Sequence, residues 1–121
     1  MVAKTVLLVD DSRVARMMTR KIIDSAHPDW TVIEAASGEE AIEKVAAGAF
    51  DFVILDVNMP GMGGLEAARH LRGTGTKAII TLLTANIQEP VRLQAEAIGI
   101  GFLNKPVRED LLLAFLAGAA S

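Results

Sequence analysis

Five short apolar runs punctuate the chain at nearly regular intervals, and that alternation limits what it can fold into. They are Thr5–Val9, Trp30–Ala35, Phe52–Leu55, Ala78–Leu83 and Ile100–Leu103. Between them lie helix-patterned segments at Arg13–Ala26, Gly38–Ala47, Leu65–Arg72 and Pro90–Ile98, with a last one at Glu109–Ala119. Strand-length runs alternating with helices specify βα units and a parallel sheet. The first, third and fourth runs are continuously apolar, as strands covered on both faces are. The second, Trp30-Thr31-Val32-Ile33-Glu34-Ala35, carries more polar atoms and suits an edge. With right-handed crossovers few topologies remain. The most economical is α/β and doubly wound, a flavodoxin-like five-stranded parallel sheet in the order 2-1-3-4-5, with strands 1 and 3 flanking the switch point.

Ligands of open α/β sheets bind beyond the carboxyl ends of the strands, and there the runs end in reactive groups. The first enters Asp10 and Asp11, the third Asp56, the fourth Thr84, and the fifth leads to Lys105-Pro106. Three carboxylates, a hydroxyl and an ammonium in one crevice are equipment for handling a phosphoryl group with a divalent metal. Two carboxylates about 5 Å apart repel by roughly 3 kcal/mol at an effective dielectric of about 20, so three need a cation to stay ionised together. Oxygen donors with retained water describe Mg²⁺, or Mn²⁺, better than zinc.

The bulk composition narrows the setting. At 121 residues the chain is the size of one domain, spanning 1–121. A net charge of −3 offers no electrostatic reason to expect nucleic acid. Cysteine is absent, which excludes disulfides and thiolate metal sites, and with no export signal the expected location is cytoplasmic. The longest apolar stretch, Leu111–Ala117, is too short to span a bilayer.

Local signals mark the helices. Ser37-Gly38-Glu39-Glu40 fits a capping box, and Pro90 suits a first helical turn. In the first helix the spacing predicts an inward stripe of Val14, Met18 and Ile22 beside Ala15, with Arg13, Arg16 and Arg20 facing out. The last helix is apolar on all sides. Leu111, Leu112, Phe115 and Leu116 are expected in the core, and Leu113 outward beside Leu93 and Phe102, as a surface for a partner or for self-association. Taken alone, Asp10-Asp11-Ser12 reads as a helix cap, and Asp56 with Lys105 turns it toward a metal site. Trp30 reads as edge-strand packing, and His27 and His70 have no partner in sequence.

With these residues placed, the chain resembles the CheY-like receiver domains of bacterial two-component response regulators, which share the 2-1-3-4-5 order. The motifs are Leu7-Leu8-Val9-Asp10-Asp11-Ser12, Ile54 through Met62, Leu83-Thr84-Ala85 and Asn104-Lys105-Pro106, each at a strand end. The resemblance implies that Asp56 accepts a phosphoryl group from a histidine kinase or phosphotransfer protein. It implies Mg²⁺ held directly by Asp11 and Asp56, mainly through water by Asp10, and by the Asn58 backbone carbonyl. Thr84 and Lys105 would bind the phosphoryl oxygens, and Lys105-Pro106 would be a cis bond. Thr84 would shift on phosphorylation, with Phe102 filling the vacated space and a downstream protein target or a second copy reading the change on the face of the fourth helix, fifth strand and fifth helix.

The residues add to this. An aspartyl-phosphate phosphatase, the rival reading, is served by an acid/base two residues after its nucleophile. Here that position is Asn58, whose amide cannot transfer protons, so the acyl phosphate is expected to persist. Asn58 and Asn86 flank the site where the family tunes hydrolysis. The family often has aspartate where Gly63 stands, a stronger cap than glycine. Little sequence follows the fifth helix, so a receiver with no output domain is expected. The alternative is a piece of a longer response regulator or hybrid kinase, for which Ala117–Ser121 would suit a linker start.

Overall fold

The computed structural model of the chain describes residues 3–85 and 88–120. Five βα units follow one another: β1 (Thr5–Val9), α1 (Arg13–Ala26), β2 (Thr31–Ala35), α2 (Gly38–Ala47), β3 (Phe52–Asp56), α3 (Gly64–Gly73), β4 (Ile79–Thr84), α4 (Glu89–Ala97), β5 (Gly101–Asn104) and α5 (Glu109–Ala120). All strand pairs are parallel, and the order across the sheet is β2-β1-β3-β4-β5. The expected doubly wound α/β fold is therefore present, with β2 at one edge and β1 beside β3. Three strands run one residue beyond their apolar runs. Asp56 pairs with Leu83, and Thr84 with Asn104, because ladder pairing is made by the backbone and ignores a polar side chain.

The sheet is covered on both faces, as its apolar strands require. Leu7, Val9, Val53, Leu55, Ile80 and Leu82 face Ala41, Ala67, Ala68, Leu71 and Ala95 of α2, α3 and α4. Val6, Leu8, Phe52, Ile54 and Leu83 face Ile23 of α1 with Leu112 and Leu116 of α5. Caps set the helix starts. Ser37 accepts from the Glu40 backbone N–H at 3.1 Å, while the Glu40 carboxylate accepts from the Ala36 N–H at 2.8 Å, so the box closes one residue further out than its usual form. Gly63 precedes α3 without a side-chain cap. Trp30 stacks between His27, 3.9 Å away, and Phe52, 5.7 Å away, just before β2 begins.

Two helix faces differ from the sequence expectation. In α1 the buried residues are Thr19 and Ile23, while Val14, Met17 and Met18 are 57–65 % exposed. Arg16, expected outside, is only 14 % exposed, because Glu34 of β2 lies across from it and pairs with its guanidinium at 2.9 Å. An ion pair thus takes the place that periodicity assigned to an apolar side chain. In α5, Leu111 is exposed and Leu113 is half-buried against the core, the reverse of the expectation. Leu112 and Leu116 centre the buried face, and Phe115 meets Phe52 edge-on at 5.9 Å.

Thr81, fully buried in β4, carries the one buried side-chain oxygen or nitrogen without a hydrogen-bond partner among the described residues. An orphaned hydroxyl costs its desolvation with no return, so Thr81→Val is expected to raise unfolding free energy by about 1 kcal/mol. A urea melt checks this; a lowered midpoint would mean the hydroxyl is satisfied.

Candidate functional site

The chain turns through Asp10, Asp11 and Ser12 between β1 and α1. The Asp10 N–H extends the ladder by donating to the Ala35 carbonyl at 3.1 Å. One Asp10 carboxylate oxygen accepts from the Ser12 N–H at 2.9 Å, and Ser12 caps α1 by accepting from the Ala15 N–H at 3.2 Å. Ser12 therefore provides the side-chain cap of α1, and the Asp10 carboxylate instead accepts from the Ser12 N–H.

Asp56 is the last residue of β3 and is buried at 4 % exposure. The start of α3 fixes its backbone. Gly64 donates to the Val57 carbonyl at 3.0 Å, and a Cβ on Gly64 would lie 2.2 Å from the Asp56 carbonyl oxygen. No side chain fits there, so the second glycine of Gly63-Gly64 is required by the closeness of helix and strand. Across the sheet, the Lys105 N–H donates to the Thr84 carbonyl at 2.8 Å, which carries the β4–β5 ladder as far as the lysine. The Lys105–Pro106 bond is cis.

These elements converge. Lys105 Nζ lies 3.1 Å from an Asp10 carboxylate oxygen and 3.0 Å from Asp56 Oδ1. The Asn58 N–H also points at Asp56 Oδ1, at 3.4 Å. Asp10, Asp11 and Asp56 each place a carboxylate oxygen within 4.8 Å of the others; Asp10 and Asp56 are buried and Asp11 is exposed. Thr84 is buried at the end of β4. Phe102 pairs with Leu82 and is half-buried on the sheet face that Leu82 shares with the α2–α3–α4 core. Leu93 is exposed on α4. Asn86 lies outside the described residues.

Burial pushes the Asp56 carboxyl above its ordinary value, and the nearby Asp10 charge adds to this. Lys105 opposes both without overcoming them. Burial alone would lower the Lys105 ammonium, but its hydrogen bonds to Asp56 and Asp10 outweigh that and raise it. One ammonium thus contacts two of three clustered carboxylates, and each carboxylate pair at about 5 Å repels by roughly 3 kcal/mol at a dielectric of about 20. All three donors are oxygens, and the exposed Asp11 leaves access for retained water, so the set fits a hard divalent cation such as Mg²⁺ or Mn²⁺.

Two residues that hold this geometry escaped the sequence reading. Gly64 was masked by its own loop, where glycine is expected for turns. Arg16 was assigned to the solvent by helical spacing, whereas its guanidinium donates to the Asp10 backbone carbonyl. The only signal for it was an acidic residue, Glu34, on the neighbouring strand.

Residues 6–117 match the family described as response regulator receiver domain, and the chain belongs to that family. It is 37 % identical over 101 residues to the response regulator UvrY of Escherichia coli O6:H1, a match covering 83 % of this chain but 46 % of UvrY. The two-component response regulator ORR41 of Oryza sativa is 35 % identical over 115 residues, covering 93 % of this chain and 91 % of that protein. Among solved structures, the Vibrio cholerae chemotaxis protein CheY4 superposes with a TM-score of 0.88 at 33 % identity, covering 98 % of this chain and 99 % of that one. The chain thus spans about half the length of UvrY and nearly all of the two others. No helix among the described residues is long and apolar enough to cross a membrane.

The raised Asp56 value has a consequence for stability. A carboxyl harder to ionise when folded costs nothing at pH values below the ordinary carboxylate range. Its cost develops as pH climbs from that range through the raised folded value, and is complete above it. In metal-free buffer Asp56→Asn is therefore expected to melt higher than the wild type at pH 7, with the gap closing as pH falls toward 4. Thermal melts across that interval check it; a gap that widens toward acid would contradict the assignment.

Proposed function

We propose that this receiver is a phosphorylation switch in which Asp56 accepts a phosphoryl group from a phosphohistidine of a sensor kinase or phosphotransfer protein. The observation that carries the reading is the convergence of Asp10, Asp11, Asp56 and Lys105 within hydrogen-bonding or metal-chelating distance at the carboxyl ends of β1, β3 and β5. An Asp56 oxygen attacks phosphorus in line; the P–N bond breaks as the P–O bond forms, and the leaving imidazole keeps the electron pair and takes up a proton. Mg²⁺, when bound, would neutralise charge on the phosphoryl oxygens; Asp11, Asp56 and the Asn58 carbonyl would hold it, and Asp10 would contribute mainly through water. Lys105, already aimed at Asp56, would exchange that contact for a phosphoryl oxygen, and Thr84 would bind another. Positioning and charge compensation do most of the work in such transfers. Asn58 offers no proton, which favours a lasting acyl phosphate over turnover.

Two exposed apolar faces suit two kinds of contact. On α1, where Val14, Met17 and Met18 are exposed, Met18 lines a groove of about 390 Å³ with Ile22, Pro106, Val107, Asp10 and Lys105. A phosphodonor seated there is beside the acceptor. The second region is the β5 edge, with half-buried Phe102 on β5, exposed Leu93 on α4 and exposed Leu111 on α5, and is the reading surface for a downstream target or a second copy. Leu111 takes the place that the sequence assigned to Leu113. A population shift between two arrangements of Thr84 and Phe102 would connect site and surface.

Incubation with acetyl phosphate and Mg²⁺ is expected to add the mass of one phosphoryl group to the wild type and none to Asp56→Asn. An unmodified wild type would reject the reading. Charge substitutions separate the two faces. Met18→Glu is expected to slow transfer from a histidine kinase by about tenfold, as loss of one central interface residue does, while leaving transfer from acetyl phosphate unchanged. Leu111→Glu should leave both transfers alone and weaken association that depends on phosphorylation, measured by sedimentation or pull-down. Equal slowing with both donors would place Met18 in the chemistry instead.

A further inference from the structure

Past β1 the chain leaves both of its ladders before α1 begins, and the Asp10 carbonyl falls in that gap. The ladder to β3 ends at Val9, and α1 starts at Arg13. Asp10 is 4 % exposed, so its carbonyl needs a donor from the protein. Arg16, one turn into α1, supplies it through Nη1. The same guanidinium donates from Nε to Glu34 Oε1 at 2.9 Å, and Arg20 holds the other Glu34 oxygen at 2.9 Å. Every polar atom of Asp10 is thus engaged: its N–H by Ala35, its carbonyl by Arg16, and its two carboxylate oxygens by Ser12 and Lys105.

We propose that Arg16 is a positioning residue for the divalent-cation site. Its planar fork spans the Asp10 carbonyl and the β2 carboxylate, fixing the plane of the Asp10–Asp11 peptide and so the direction in which Asp11 presents its carboxylate. The inference rests on the cation reading given above. A lysine does not substitute, because a single ammonium lacks the fixed, coplanar but divergent donors that reach the Asp10 carbonyl and Glu34 at once. Arg20 shares Glu34 but does not touch Asp10, which makes it the internal control. If Arg16 only fastened α1 to the sheet edge, losing either arginine would have similar consequences, and both would be confined to thermal stability.

Mg²⁺ affinity measured by calorimetry on the full chain, well below the melting temperature, separates these roles. Arg16→Met keeps the aliphatic stem and removes the donors; it is expected to weaken Mg²⁺ binding by about tenfold, the usual scale for loss of a residue that orients metal ligands. Arg20→Met is expected to stay within about twofold of the wild type. Should Arg16→Met fail to fold, Arg16→Lys, which keeps stem and charge, is expected to fold and still bind Mg²⁺ more weakly than Arg20→Met. An Arg16 variant that binds as the wild type does, or an Arg20→Met that weakens binding equally, overturns the proposal. A wild type that binds no Mg²⁺ overturns the cation reading itself.

Discussion

A single ammonium, Lys105 Nζ, joins the carboxylates that close β1 and β3, at 3.1 and 3.0 Å. Much of the upper rim of the sheet is arranged around that contact. β4 and β5 must stay paired to Lys105 for the lysine to reach across, and α3 must begin at a glycine for the Asp56 backbone to sit where it does. The arrangement is incompletely compensated. Asp56 stays above its ordinary carboxyl value even with the lysine beside it, because burial and the neighbouring Asp10 charge win. A stable core would gain more from apolar residues at these positions, so the retained acidity points to use rather than to folding.

The same physics links the site to its surroundings. Burying Asp10 removes water from its carbonyl, which creates the need that Arg16 meets. Meeting it draws Arg16 inward, and Val14, Met17 and Met18 are then turned outward. An exposed apolar helix face and an ordered acidic turn are in this way two results of one ion pair with Glu34.

Much of this was legible in the sequence, for reasons that particular residues make plain. Asp10, Asp11, Asp56 and Lys105 follow apolar runs directly. A parallel sheet then brings strand ends to one edge, so their proximity followed once the alternation was read. The rotation of α1 was not legible, because it is set by Glu34 on another strand rather than by the helix's own spacing. In α5 the run from Leu111 to Phe115 contains no polar residue to mark an outer face. Its orientation is decided by the fit of Leu112, Leu116 and Phe115 against β3, which only the packed structure reveals. Gly64 was visible as a glycine, but its role depends on the approach of α3 to the Asp56 carbonyl, a tertiary fact.

The central claim is chemical: the buried carboxylate at the end of β3 becomes an acyl phosphate. The most direct measurement is borohydride reduction of the phosphorylated chain followed by peptide mass spectrometry, since reduction converts an aspartyl phosphate to homoserine and marks its position. The account predicts homoserine at position 56 and at no other. Reduction product at Asp10 or Asp11 instead, or a phosphoryl group carried by a hydroxyl or an imidazole, would contradict it.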